Sequence, residues 1–197
     1  MWVILTILLV VIIAIIASIW DYRSSIQEYK FARPGSLSEL SDVLREKSPV
    51  AIQVGTLPNT EELATGLSEL ADARALWWLP GLWNVRRYQE GPGLLTGLEW
   101  VTAERQWVGC SSGTPLTVWL VHSRYRRFLD STDGSDPWGL TQEQAPWISR
   151  VQFIEVNIKP GWTLGIPAHW GFAIKSAGQT DWWRAQQHSV LSWAVTT

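Results

Sequence analysis

Asp21 is the first charged residue in the chain, and everything before it is apolar or uncharged. Trp2–Trp20 (WVILTILLVVIIAIIASIW) is a run of about 19 residues, close to the ~20 that a bilayer-spanning helix requires. Trp2 and Trp20 mark its two ends, and the amphipathic indole ring settles at the headgroup level on either side of a bilayer. A cleaved signal peptide is not the better reading. No Lys or Arg precedes the run, its length exceeds a 7–15-residue apolar core, and Ala14 and Ala17 lack the spacing of an A-x-A cleavage site. Residues 1–20 are therefore expected to form a retained single-pass anchor, with the lipid bilayer as the partner of residues 2–20.

Arg23, Lys30 and Arg33 follow the run, whereas only the terminal amine precedes it, so the positive-inside bias puts the C-terminal part in the cytoplasm. Two further features agree with a reducing compartment: Cys110 is the sole cysteine, and none of Asn59, Asn84 or Asn157 begins an N-x-S/T sequon. Residues 21–35 read as a polar juxtamembrane stalk ended by Arg33-Pro34-Gly35. Residues 36–197 then form one domain of about 160 residues, a size that a single core supports. All charges fall after the run: 16 Lys+Arg against 18 Asp+Glu, net −2, with no basic block, so the footprint of a nucleic-acid binder is missing.

The domain reads as helices followed by strands. Ser36-Leu-Ser-Glu39 is a capping box, and Leu37, Leu40 and Leu44 continue at helical spacing, predicting a helix over 36–46 that Pro49 terminates. Val50 to Val54 reads as a strand. A second helix starts near Asn59 or Thr60, with Leu63, Leu67, Leu70 and Trp77 on one face and Glu61 and Glu62 in the first turn, and it fades at Pro80-Gly81. From Leu94 the chain becomes short β-type runs, LLTGLEWV, RQWVGC, PLTVWLVHS, VQFIEVNI, WTLGI, GFAIKS and SVLSWAV, interrupted by the loop LDSTDGSDPWG. The expected class is mainly β with N-terminal helices (α+β), a sandwich, jelly roll or barrel.

Within this pattern, Glu155 to Phe172 (EVNIKPGWTLGIPAHWGF) resembles the C-terminal half of the cupin-like and JmjC-like double-stranded β-helix family, with its PGD-x-L-x-IP and P-x-x-W-x-H stretches. Pro160-Gly161-Trp162 matches the PGD turn, Leu164 to Pro167 the next strand, and Trp170 the tryptophan. Ser189 to Trp193 looks like the closing strand, separated by an insertion that contains Trp182 and Trp183. KSPVAIQVG and GTPLTVWLVHS resemble earlier strands, so the similarity spans about residues 36–197 and implies a cupin/jelly-roll-like barrel behind a single transmembrane helix.

The departures govern the function that this resemblance implies. Active members are similar to one another in an H-x-D/E pair and a later histidine, a facial triad that leaves positions open for oxygen and 2-oxoglutarate on iron. The three histidines here, His122, His169 and His188, are followed two places on by Arg124, Gly171 and Val190. Phe172 occupies the position of the distal histidine, and Trp162 replaces the PGD aspartate. The chain is thus expected to bind or scaffold without catalysis and to need no cofactor. The alternatives are an Fe(II)/2-oxoglutarate-type oxygenase with a rearranged site drawn from His122, His169, His188 and Glu104 or Glu155, and a glycan-binding β-domain.

Four other features have bland readings. Cys110 in VGCSSG reads as a small buried core residue rather than a nucleophile, because no base can be assigned to it. Gly91-Pro-Gly93 and Gly109 to Gly113 lack the context of a phosphate-binding loop and read as turns, with Ser111-Ser112-Gly113 joining two strands. Arg124-Tyr-Arg-Arg127 and Arg86-Arg87 read as solvated or paired with acids such as Asp130. Trp occurs 15 times, and since each ring buries ~150–250 Å² most are expected in the core. The adjacent pairs Trp77-Trp78 and Trp182-Trp183 point to opposite faces and should leave some rings exposed for a protein partner.

Overall fold

The computed structural model describes residues 2–23, 48–53, 82–90, 96–129 and 146–188. The chain is mostly β, with two antiparallel sheets and an N-terminal helix. Helix α1 runs over Trp2–Arg23. Its large apolar side chains face outward, Trp2 at 80% exposure and Trp20 at 77%. Among the described residues no helix is long and apolar enough to cross a membrane.

The strands are β1 (Val50–Gln53), β2 (Leu82–Glu90), β3 (Glu99–Trp100), β4 (Arg105–Gly113), β5 (Leu116–Val121), β6 (Phe153–Ile158), β7 (Trp162–Pro167), β8 (Gly171–Ser176) and β9 (Thr180–His188). One sheet has the order β1-β7-β4-β9-β2, the other β3-β8-β5-β6. The pairings are nested: β2 with β9, β3 with β8, β4 with β7 and β5 with β6. Three more, β1 with β7, β4 with β9 and β5 with β8, complete the sheets.

Period-2 alternation explains which residues fill the space between the sheets. Val108 and Cys110 of β4, Leu164 and Ile166 of β7, Leu116, Val118 and Leu120 of β5, and Phe172 and Ile174 of β8 form one buried cluster with Trp170 and Trp182. Each such side chain contributes ~1.5–3 kcal/mol by leaving water. A second cluster lies beside the first. Leu98, Val121, Leu129 and Val151 pack there with Trp100, Tyr125, Phe128 and Phe153, seating the 3₁₀ turn Ser123–Tyr125 and the short helix α2 (Arg126–Leu129) on the four-stranded sheet, and the 3₁₀ turn Pro146–Arg150 leads into Val151.

Three tryptophans are placed by glycines. Trp107 is directly opposite Gly165, Trp183 opposite Gly109 and Trp100 opposite Gly171. Opposed residues share a face, so each indole lies over a strand position that has no side chain. A Cβ on Gly165 would meet Trp107 Cζ3 at 2.7 Å, and one on Gly109 would overlap the Trp183 ring. Trp182 and Trp183 do point to opposite faces, but both are buried, at 5% and 7% exposure. The expected surface ring at this pair is therefore absent, because the outer face of the five-stranded sheet is buried as well: Val50, Trp107, Thr163 and Ala185 are each at 1% or less.

Several other expectations are also corrected. Leu82–Glu90 is a strand, although its sequence shows no clean alternation of apolar and polar residues. Among the described residues of LLTGLEWV, Glu99–Trp100 is the strand. The segment read as an insertion, Thr180–His188, is β9 and lies inside its sheet, hydrogen-bonded to both β4 and β2. Ser111 and Ser112 continue β4 through a bulge at Ser111, and the chain turns at Gly113, where φ is 86°. The helices expected over 36–46 and from 59 or 60, the pair Trp77-Trp78, Gly91-Pro-Gly93 and the closing strand with Trp193 lie outside the described residues.

Candidate functional site at the Glu99 end of the sandwich

Glu99 on β3 is opposite Phe172 on β8, and Phe172 belongs to the buried cluster, so Glu99 shares the inward face. Arg184 on β9 is opposite Val108, also a member of that cluster, and is inward-facing in the other sheet. The two side chains meet across the sandwich: Arg184 Nη1 lies 2.7 Å from Glu99 Oε2, and the guanidinium carbon sits 5.3 Å from the centre of the Phe172 ring. The Arg184 side chain is 19% exposed and Glu99 44%, so water reaches this end of the core from the carboxylate side.

Behind the pair the interior is polar. Gln106 of β4 is opposite Ile166 of the core cluster and is fully buried. Its Nε2 donates to the Trp107 and Ala185 carbonyls at 3.1 and 3.0 Å, while its Oε1 has no partner. Arg184 Nε and His188 Nδ1, on the same face of β9, are likewise buried without a hydrogen bond. Native interiors leave few such groups, and Gln106 Oε1, Arg184 Nε and His188 Nδ1 fall on two neighbouring strands.

The structure separates the predicted site residues. His122 is buried at the end of β5, where its Nδ1 accepts from the Arg124 backbone N–H at 3.1 Å and caps the 3₁₀ turn. Its ring meets Trp170 edge-on at 5.0 Å. His169 occupies the turn between β7 and β8 at φ 68°, and its N–H donates to the Val101 carbonyl. His188 ends β9. Glu155 lies on the outer face of the four-stranded sheet, where it accepts from Trp119 Nε1 at 3.1 Å. Among the described residues no three His, Cys, Asp or Glu side chains come together as a metal would need.

The motif positions have structural roles in the turns and the core. Lys159-Pro160-Gly161-Trp162 is a tight turn closed by the Trp162 N–H donating to the Lys159 carbonyl at 3.0 Å. Pro at the second position and Gly161 at φ 79° in the third are what a type II turn demands. The Gly161 N–H reaches the Cys110 carbonyl at 2.8 Å and fixes this turn to β4. Pro167 ends β7, and Trp170 and Phe172 are core.

Cys110 is buried, its thiol pointing at the Ser112 and Thr114 carbonyls at 3.8 Å. Burial pushes the thiol up to about 11, and the Asp181 charge adds to the rise against the opposing backbone hydrogen bond from Leu116. A thiol so held is protonated at neutral pH and is no nucleophile. The arginines of the 123–129 segment lie over aromatic rings: Arg126 over Trp100 at 5.3 Å, and Arg124 over Tyr125, whose hydroxyl it also bonds at 2.8 Å.

Sequence reasoning missed the Glu99–Arg184 pair. Arg184 was hidden in the supposed insertion, and the only available signal was its alternation with Trp182 and Gln186. No protein-family model matches the chain, and comparison with curated proteins finds no match either.

Proposed function

We propose that the chain is a membrane-anchored, non-catalytic binding or scaffolding module built on a cupin/JmjC-like double-stranded β-helix, with its domain on the cytoplasmic side. The nested strand pairing supports the fold: a single antiparallel ribbon, β2–β5 against β6–β9, rolled so that its strands fall alternately into two sheets, gives this order. The anchor is supported by the uncharged run to Trp20 and by the outward-facing apolar side chains of α1. Among the described residues, half-buried Trp100, Trp119 and Trp162 keep part of their surface open to a protein partner.

The observation that carries the non-catalytic reading is Phe172. It sits at the place of the family's second histidine, 1% exposed, beneath the guanidinium of Arg184. The nearby carboxylate, Glu99, is engaged by that arginine. A phenyl ring supplies no donor, so this set does not fit an iron centre that takes 2-oxoglutarate. The test is made on the full chain in detergent, purified without chelator. Metal content by mass spectrometry after exposure to Fe(II), and succinate formation from 2-oxoglutarate, are both expected at background. Stoichiometric iron lost on His122→Ala, His169→Ala or His188→Ala would refute the reading in favour of an oxygenase. Flotation of the full chain with neutral vesicles, resistant to alkaline carbonate, tests the anchor separately.

A further inference from the structure

Residues 122–129 and 146–151 contain four exposed arginines, Arg124, Arg126, Arg127 and Arg150, and no Asp or Glu. Leu129 of the first segment and Val151 of the second belong to one apolar cluster on the four-stranded sheet, so the four charges form a single patch. Three guanidinium groups lie over rings of that cluster: Arg126 over Trp100, Arg124 over Tyr125, and Arg127 over Phe128 at 4.8 Å. Stacking holds an arginine in place, so it loses less rotamer freedom when it meets an anion. Arg127 and Arg150 make no ion pair among the described residues, and the charge argument rests on these two. Asp130 lies outside the described residues.

We propose that this patch docks on anionic phospholipid headgroups of the membrane that holds α1. Two features select a lipid surface. Half-buried Trp100 and Tyr125 are amphipathic rings of the kind that settle at headgroup level, and they are interleaved with arginines, whose planar forks suit phosphate. Residues 24–47 join α1 to the first described part of the sandwich, and a chain of that length keeps it within ~90 Å of the end of α1. Tethering of this kind raises the effective concentration of headgroups at the patch. The inference rests on the anchored reading.

The test is arginine modification by phenylglyoxal, read by peptide mass spectrometry, on the full chain in lipid nanodiscs. One set of discs is neutral phosphatidylcholine, and the other carries about one third phosphatidylserine as the anionic lipid. Incorporation into the neutral discs reports on the anchor, so failure of the anchored reading is seen apart from failure of the patch. Arg127 and Arg150 are expected to react several-fold more slowly in the anionic discs. The double variant Arg124→Gln, Arg126→Gln weakens docking about 25-fold, on about five-fold per arginine at such a surface, and should return Arg127 and Arg150 to the neutral-disc rate. Sodium chloride at about 1 M, where the Debye length is ~3 Å, should do the same to the wild type. Equal rates in the two kinds of disc, or protection that survives the salt, would overturn the proposal. So would equal protection by inorganic phosphate in neutral discs, which would mark a free-anion site, or protection there that grows with the number of chains per disc, which would mark a second copy as the occupant.

Discussion

Gly165→Ala tests the packing of tryptophan on glycine most directly. The Gly165 backbone is ordinary strand, so alanine meets no conformational barrier there, and by propensity alone the change should stabilise by ~0.5–1 kcal/mol. Against that, the new methyl would stand 2.7, 3.0 and 3.1 Å from Cζ3, Cη2 and Cε3 of Trp107. Carbon atoms prefer ~3.5–4.0 Å, so the overlap approaches 1 Å over three ring atoms. Trp107 is fully buried and cannot swing clear. Overpacking of this kind costs ~1–3 kcal/mol, which outweighs the propensity gain and leaves a net loss of ~1–2 kcal/mol. The assay is equilibrium urea unfolding of the detergent-solubilised chain followed by tryptophan emission. A double-mutant cycle with Trp107→Leu isolates the pair, since removing the indole should abolish most of the Gly165→Ala penalty and give a coupling of at least ~1 kcal/mol. A Gly165→Ala protein as stable as wild type or more so, or a coupling near zero, would refute the claim that the ring covers this glycine.

Three further outcomes follow from the same geometry. Gly161→Ala, at φ 79° in the Pro-Gly turn, should lower unfolding free energy by ~1–2 kcal/mol, whereas Lys159→Ala in the same turn should be near neutral; equal effects would contradict the turn assignment. His122→Phe preserves a ring beside Trp170 but loses the cap on the Arg124 N–H, so stability should fall by ~0.5–2 kcal/mol with faster exchange at the Arg124 amide, and an unchanged amide would be the contrary result. Cys110 should resist iodoacetamide at pH 8 until the chain is unfolded. Its thiol pKa is raised from 9.0 to about 11 in the fold, so the unfolded chain gives up this proton first, and the thiol's contribution to stability is lost as pH climbs from about 9 through 11. Cys110→Ala should flatten that alkaline slope.

The strands whose apolar residues alternate or run unbroken were legible in the sequence: PLTVWLVHS, VQFIEVNI and GFAIKS contain β5, β6 and β8, and RQWVGC and WTLGI lie within β4 and β7, which extend further. Pro160-Gly161 announced its turn because only those residue types suit a type II geometry. Local patterns of this kind are written by near neighbours. β2 and β9 were not legible, because Arg86, Arg87, Arg184 and Gln186 interrupt the apolar code, and their place beside one another is set by pairing between strands almost a hundred residues apart. The same limit hid the candidate site. Glu99 and Arg184 look like ordinary surface charges in the sequence, and only the stacking of two sheets puts them 2.7 Å apart over Phe172. The absence of any H-x-D/E and the apolar run before Asp21 were fixed by the order of residues alone, since each depends on what side chains are present at adjacent positions. The burial of both Trp182 and Trp183, and the pairing of three indoles with three glycines, depend on which strand lies alongside, and that is decided by tertiary structure.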